Sequence, residues 1–571
     1  SPTPTALQVN DNTTYVNPFI GTGGHGHTFP GALVPNGMVQ LSPDTRTDGW
    51  DACGGYHYTD NSIRGFSHTH LSGTGIGDLG DFLFMPFTGE AKLQPGTPED
   101  PDSGYRSRFS HEQETAIPGY YAVDLLDDTI HAELTASKRV GFHRYTFSED
   151  TEGGIIIDLD HNIHNRNVVD SEIKIISDTE ISGYKHIKGW AQNRHIYFYA
   201  KFKKPFTFKL YEGAKEQINT INLKGKKLLA VLKFQKNTSE PLLAKVGLSS
   251  VNYDGAKQNL EQEVSHWNFE KVKKEAHNLW VSELDKIEVA GGSTDQKTIF
   301  YTGLYHTAMS PYVFNDVDGK YRGMDQKIHT SEKPVYTVFS LWDTFRAFHP
   351  LMNIIAPDKN NEFVNSLLTK YKHGGGLPKW ELNANYTGTM IGYHAVPVIV
   401  DAYFKGIRDF DVEKAYEAIV HASIYDTIGI QFPSERIKGK LSPMAKKYNE
   451  ELGYIPADLE NESVSKALEY AYNDWCIAQM AKDLGKQDDY QRFMERSKRY
   501  QKYFDKETGF MRGLQQDGSF RTPFDPKYSE HRKDDYVEGN AWQWLWFVPH
   551  DVDGLVDLMC GKKGFITKLD E

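Results

Sequence analysis

HIYFYAKFKKPFTFKLY, residues 195–211, sets Ile196, Phe198, Ala200 and Phe202 at alternate positions and, after Pro205, repeats the step with Phe206, Phe208 and Leu210. A period of two marks a strand with one face buried. Runs of the same kind occupy 140–147 (VGFHRYTF), 154–159 (GIIIDL) and 227–234 (KLLAVLKF), with turn residues between them. Many strands with little helix over about 250 residues predict a large β-sandwich.

Beyond this region the period changes. Residues 255–287 are charged and helix-friendly, with Leu260, Val264, Trp267, Val272, Ala276, Leu279 and Leu284 on one side and Gly291-Gly292 as a stop. This stretch reads as a connector. Further on, Val464, Leu468, Ala471, Trp475 and Ala478 recur at three- and four-residue steps before Gly485. Tyr490, Phe493, Met494, Ser497, Tyr500 and Phe504 do the same, as do Phe363, Val364, Leu367, Leu368 and Tyr371, and Val412, Tyr416, Ile419 and Val420. Helices joined by long loops bearing Gly and Pro suit an α/α toroid, whose loops gather at one end.

Bulk properties narrow the function. A chain of 571 residues exceeds a single ordinary core. The formal charge of −13 argues against nucleic acid, which demands clustered Lys and Arg. No apolar run is long enough for a transmembrane segment. The polar start, SPTPTALQVNDNTTY, reads as a tether or processed end rather than a signal peptide. Cys53, Cys476 and Cys560 are too few for a disulfide scaffold and form no CxxC. Asn-x-Ser/Thr triplets stand at Asn12, Asn237, Asn385 and Asn461, which alone do not establish secretion. Aromatics reach 13% of residues; their faces pack on sugar rings, and they also fill large cores.

Five segments are rich in Gly, His, Trp and carboxylates, the composition of binding loops. In residues 21–31 (GTGGHGHTFPG), His25 and His27 offer metal ligands or polar contacts, and no GK[ST] follows to make a P-loop. Residues 50–81 hold His57, His68, His70, Asp78 and Asp81 among glycines, beside Trp50 and Tyr56. They read either as a tight hairpin with satisfied histidines or as a ligand-facing rim. In 340–350 (SLWDTFRAFHP), Trp342 offers an apolar wall, and Asp343 and Arg346 share a helix face, as a site or as an ordinary ion pair. Residues 374–394 form a loop carrying Trp380. In 536–544 (YVEGNAWQW), Glu538 stands beside aromatic rings that could desolvate it into a proton donor, while Asn540 and Gln543 offer amides for sugar hydroxyls. The plainer alternative is a Glu favouring a helix N-terminus.

YVNPFIGTGGHGHTFPGA, GFSHTHLSGTG, LWDTFR, LEYAYNDW and YVEGNAWQW occur in this order from Tyr15 almost to the end. Together they resemble glycoside hydrolase family 92, the calcium-dependent inverting exo-α-mannosidases. The resemblance implies a multidomain β + α fold: a polar segment 1–14, a β-sandwich 15–252, a helical linker 253–292 and a C-terminal (α/α)6 catalytic barrel from 293, incomplete in this chain. It implies removal of terminal α-mannose, with a leaning to α-1,2 linkages, from N-glycans or mannans in an extracytoplasmic setting (periplasm, cell surface or secreted). It implies Glu538 as general acid, and Trp342, Asp343, Asn540 and Gln543 around the terminal mannose. His25, Trp50, Cys53 and His68 would lie on loops toward the leaving sugar. Ca2+ is the implied cofactor. The family's Asn-Glu-Pro-Ser-His-His and Gly-Asn-x-Asp segments, which supply calcium contacts and the general base, are expected beyond residue 571. Other readings are a phosphorylase on the same architecture, disfavoured by the lack of a basic cluster beside the carboxylates, and a non-catalytic mannoside-binding fragment.

Overall fold

The computed structural model describes residues 11–148, 151–235 and 240–571. The sequon at Asn237 and most of the polar segment 1–14 lie outside the described residues. Two compact units emerge: the chain to Arg322 with Lys327–Val338, and Gly323–Gln326 with Phe339–Glu571. Among the described residues no helix is long and apolar enough to cross a membrane.

The first unit is a sandwich of two antiparallel sheets. One has seven strands in the order Ser42–Asp44, Gly65–Ser67, Leu83–Thr88, Gly153–Asp158, Leu228–Phe234, Phe206–Glu212, Lys215–Gln217. The other has nine: Asn222–Gly225, Asn167–Ile175, Glu180–Lys188, Arg194–Phe202, Leu242–Ser249, Val140–Thr146, Ile130–Ala136, Tyr120–Leu125, Glu114–Ile117. The stretch 195–211 therefore contributes one strand to each sheet, and the chain crosses between them at Pro205. Ile196, Phe198, Ala200 and Phe202 face the core as the alternation requires. Phe206 and Leu210 are also buried, whereas Phe208 is 36% exposed, because its strand is flanked on the outer side only by a three-residue edge strand. Rings interleave between the sheets: Phe82 and Phe84 meet Phe198 at centroid distances of 4.6 and 6.1 Å.

The 255–287 stretch forms two helices, Tyr253–Glu263 and Phe269–Leu284, each N-capped by an Asn side chain, Asn252 and Asn268. At the break, Lys245 donates to the carbonyls of Val264 and His266 at 2.7 and 3.2 Å. Leu260, Val264, Phe269 and Val272 pack on Tyr120, Phe142 and Leu243, on the outside of the nine-stranded sheet. The expected connector is thus a layer of the sandwich unit. Leu279, expected inside, is 44% exposed, and its neighbour Trp280 is buried instead, donating to the Leu33 carbonyl at 2.7 Å.

The second unit is helical. Ser463–Asp483 runs through it, buried on nearly all sides, and packs against Ala395–Phe404, Val412–Ala422 and Gln487–Ser497. A sandwich followed by a helical domain is the architecture expected from the sequence.

Candidate active site

In the helical unit, two short turns carry the expected residues, and one helix holds both. Residues 534–537 cap the N-terminus of Ser463–Asp483: Val464 and Ser465 donate their N–H groups to the Asp535 carbonyl at 3.1 and 3.3 Å. The Val537 N–H in turn donates to Ser465 Oγ at 3.0 Å, and Trp544 Nε1 donates to the Val537 carbonyl at 2.8 Å. Glu538 follows immediately with φ of +45°, a left-handed conformation costly for a residue with a Cβ. Its side chain is exposed. The aromatic neighbours therefore anchor the turn rather than cover the carboxyl group.

Asn540 caps the helix Ala541–Trp544. Its Oδ1 accepts from the N–H groups of Trp542 and Gln543 at 3.1 and 3.3 Å, and Gln543 Oε1 accepts from the Asn540 N–H at 3.0 Å. Both amide oxygens are consumed by this reciprocal cap. The two NH2 groups are left as the donors these residues can give a ligand.

One helical turn beyond Ser465 lies Glu469, fully buried. It accepts from Trp342 Nε1 at 2.8 Å, and the Arg346 guanidinium lies 3.6 Å from the same oxygen. On the other side, His394 Nε2 is 2.9 Å from Glu469 Oε2, but its N–H is not aimed along that line, so neither atom gains a well-formed bond. Asn473 Nδ2 donates to His394 Nδ1 at 3.1 Å, which leaves the proton of the neutral ring on Nε2. Residues i and i+4 share a helix face about 6 Å apart along the axis. Ser465 thus fixes the Glu538 turn and Glu469 fixes Trp342 from one ruler.

Arg346 stacks over Trp342 and Phe345, 4.9 Å from each centroid, and does not pair with Asp343. Asp343 is exposed and accepts from Ser340 Oγ. The 374–394 loop contributes buried Trp380, in a small sheet with Phe339–Ser340 that leads into Trp342. Glu469 was missed in the sequence because it reads as one polar position of an amphipathic helix; the signal available was its place inside LEYAYNDW.

The expected rim residues of the sandwich unit divide in two. Trp50 is 57% exposed, and a Cβ on Gly75 would lie 2.8 Å from its ring, so glycine lets the indole rest on that backbone. His25 is exposed, with Nδ1 2.6 Å from Asp51 Oδ1; this hydrogen bond holds the Asp51 carboxyl below the usual range. His68, by contrast, lies inside the sandwich. Its ring nitrogens meet the Phe82 carbonyl at 2.7 Å and His143 at 2.9 Å, and burial pushes its pKa down to about 4. Cys53 is 1% exposed, its thiol directed to the Trp50 carbonyl at 3.2 Å, and burial raises its pKa to about 11. Neither offers a surface for a sugar in this conformation. His70, Asp78 and Asp81 are internal as well. His70 and His161 each bond Asp44 at 2.7 Å. Asp81 pairs with Arg194 and Lys185, whose charges override the upward push of burial on its carboxyl. The satisfied-histidine reading holds for this group.

For a metal, the sandwich unit groups His25, His27 and Asp51 within 4.8 Å. Calcium favours about six to eight oxygens, and among the described residues no three acidic side chains gather at metal-binding distance. Two imidazoles and one carboxylate do not fit calcium.

Comparison with known proteins completes the picture. Residues 15–249 match the model of the glycosyl hydrolase family 92 N-terminal domain, and 255–571 that of the family 92 catalytic domain. A family GH92 α-mannosidase of Bacteroides thetaiotaomicron superposes with a TM-score of 0.92 at 43% identity, over 98% of this chain and 74% of that one. The same enzyme has been solved in complex with mannoimidazole. A family GH92 inverting mannosidase of that organism gives a TM-score of 0.88 at 31% identity, over 99% and 74%. A protein of Arthroderma benhamiae described as an uncharacterized secreted glycosidase is 28% identical over 98% of this chain and 74% of its own length.

Proposed function

The chain belongs to glycosyl hydrolase family 92 and is a glycoside hydrolase of the α-mannosidase type, and from that premise we propose that it is an exo-acting, inverting α-mannosidase with Glu538 as its general acid. The substrates are terminal α-mannose units, α-1,2-linked by preference, on N-glycans or mannans outside the cytoplasm. Support for that setting comes from the relative described as secreted. Support for a mannose pocket comes from the relative solved with mannoimidazole.

The observation that carries the reading is the shared helix. Ser465 and Glu469 hold the Glu538 turn and Trp342 on one face of Ser463–Asp483. Glu538 gives its proton to the glycosidic oxygen as the bond breaks, so the departing sugar leaves as a neutral alcohol. Trp342 walls the apolar face of the terminal mannose. The free NH2 groups of Asn540 and Gln543 donate to its hydroxyls, and the exposed Asp343 accepts from them. Trp50 and His25, exposed on the sandwich unit, are candidate sugar contacts there.

Inversion needs a second carboxylate roughly 6.5–9.5 Å from the first, with a water between it and the sugar. Calcium is the proposed cofactor and, when bound, would hold mannose hydroxyls.

The test is the stereochemistry of hydrolysis. Proton NMR of α-1,2-mannobiose cleavage by the calcium-loaded enzyme should show β-mannose forming first, and a chelator should stop it. Initial release of α-mannose would sink the inverting assignment.

A further inference from the structure

His27 presents a buried ring nitrogen with no hydrogen-bond partner. Its side chain is 4% exposed. Nδ1 lies 2.9 Å from the Thr74 carbonyl oxygen and must donate to it, so the neutral ring offers a bare lone pair at Nε2. That lone pair faces Asp51 Oδ1 across 3.6 Å. A lone pair and a carboxylate oxygen repel unless a proton or a metal ion lies between them. The backbone insists on the arrangement. A Cβ on Gly26 would meet the Gly21 carbonyl oxygen at 2.2 Å, and His27 holds φ of +56°. Strain of this kind, at a buried and unsatisfied group, points to a ligand.

We propose that His25, His27 and Asp51 bind a divalent transition metal of the zinc class, with a fourth position left to water. Two imidazoles and a carboxylate suit zinc. An Nδ1–H donated to a backbone carbonyl is how a ligating histidine is oriented for Nε2 coordination. The ligand atoms already lie within 4.8 Å of one another, close enough to converge on one ion by side-chain rotation. His25 is 75% exposed, so the ion exchanges with solvent. The ligands come from two segments, the 21–31 loop and the turn Trp50–Ala52. A metal joining them clips the rim and braces Trp50, whose ring meets His27 edge-on at 4.9 Å. This site is separate from the calcium of the mannosidase reading and does not rest on that reading.

The test is calorimetric titration of the chelator-treated, calcium-replenished protein with zinc chloride alone, repeated with cobalt while visible absorption is followed. The wild type should take up one zinc with a cobalt spectrum of low coordination number. H27Q and D51N should each weaken zinc at least tenfold. H25A, at an exposed position, should do the same with the unfolding midpoint of the metal-free protein unchanged, which separates lost ligation from lost folding. Equal zinc affinity in wild type and all three variants would overturn the proposal, as would the absence of saturable zinc binding to the wild type. Both readouts are independent of mannoside hydrolysis.

Discussion

Glu469 and Trp342 provide a prediction whose size follows from the structure. The carboxylate is fully buried and accepts the indole N–H at 2.8 Å, with Arg346 3.6 Å away. A hydrogen bond to a charged group is worth about 1.5–3 kcal/mol. W342F keeps the ring and removes the donor, leaving the carboxylate short of a partner. E469Q keeps the shape and the acceptor facing Trp342 but removes the charge; each single change should cost about 1–3 kcal/mol. E469A strands the Trp342 N–H and leaves a cavity, and should cost about 2–4 kcal/mol. In a double-mutant cycle followed by urea denaturation, W342F and E469A should couple by about 1.5 kcal/mol or more. In the same variants kcat/KM should fall by one to two orders of magnitude, since a displacement of about 1 Å in a positioning residue costs about that much. A coupling energy within about 0.3–0.5 kcal/mol of zero would refute the reasoning, because the two sites would then be energetically independent.

Further expectations follow from the buried histidines and the rim. Burial pushes His68 and His349 down to about 4, against about 6.5 in an unfolded chain. The unfolded chain therefore takes up more protons as pH falls, so stability present above about pH 6.5 is lost between there and about pH 4, by up to about 3 kcal/mol per ring. Urea midpoints measured across that range should fall, and a flat profile would contradict the burial account. W50A should lower kcat/KM for α-1,2-mannobiose by roughly 5- to 150-fold, the effect of about 1–3 kcal/mol of lost contact. The same variant should leave α-mannosyl fluoride, which has no second ring, untouched; equal losses on both would move Trp50 away from the leaving sugar.

The strands and helices were legible because a buried face imposes a period: Ile196 to Phe202 could be placed from spacing alone, as could the helix of Val464 and Leu468. Spacing does not say which of two neighbours turns inward: it favours Leu279, and Trp280 is the one buried. Nor does it say which sheet a strand joins, so the crossing at Pro205 was invisible. In the site, Asn540-x-x-Gln543 carried a capping pattern that competes with the sugar-binding role given to both residues; the cap uses the oxygens and frees the NH2 groups. His68 and Cys53 looked like rim residues because they stand among glycines. Only tertiary contacts, His143 against one and the Trp50 carbonyl against the other, show that these glycines fold the segment inward. Glu469 was hidden for the converse reason: a buried carboxylate is recognised by its partners, and Trp342 lies 127 residues away.

Glu538 is expected to deliver the proton to the leaving oxygen. The measurement that tests it most directly is kcat/KM of E538Q in the calcium-loaded enzyme with two substrates, α-1,2-mannobiose and α-mannosyl fluoride. Mannobiose needs an acid, and its hydrolysis should fall by about 10²–10⁴-fold. Fluoride departs without one, and its hydrolysis should stay within a few-fold of wild type. Unchanged mannobiose hydrolysis, or an equal loss on both substrates, would contradict the assignment.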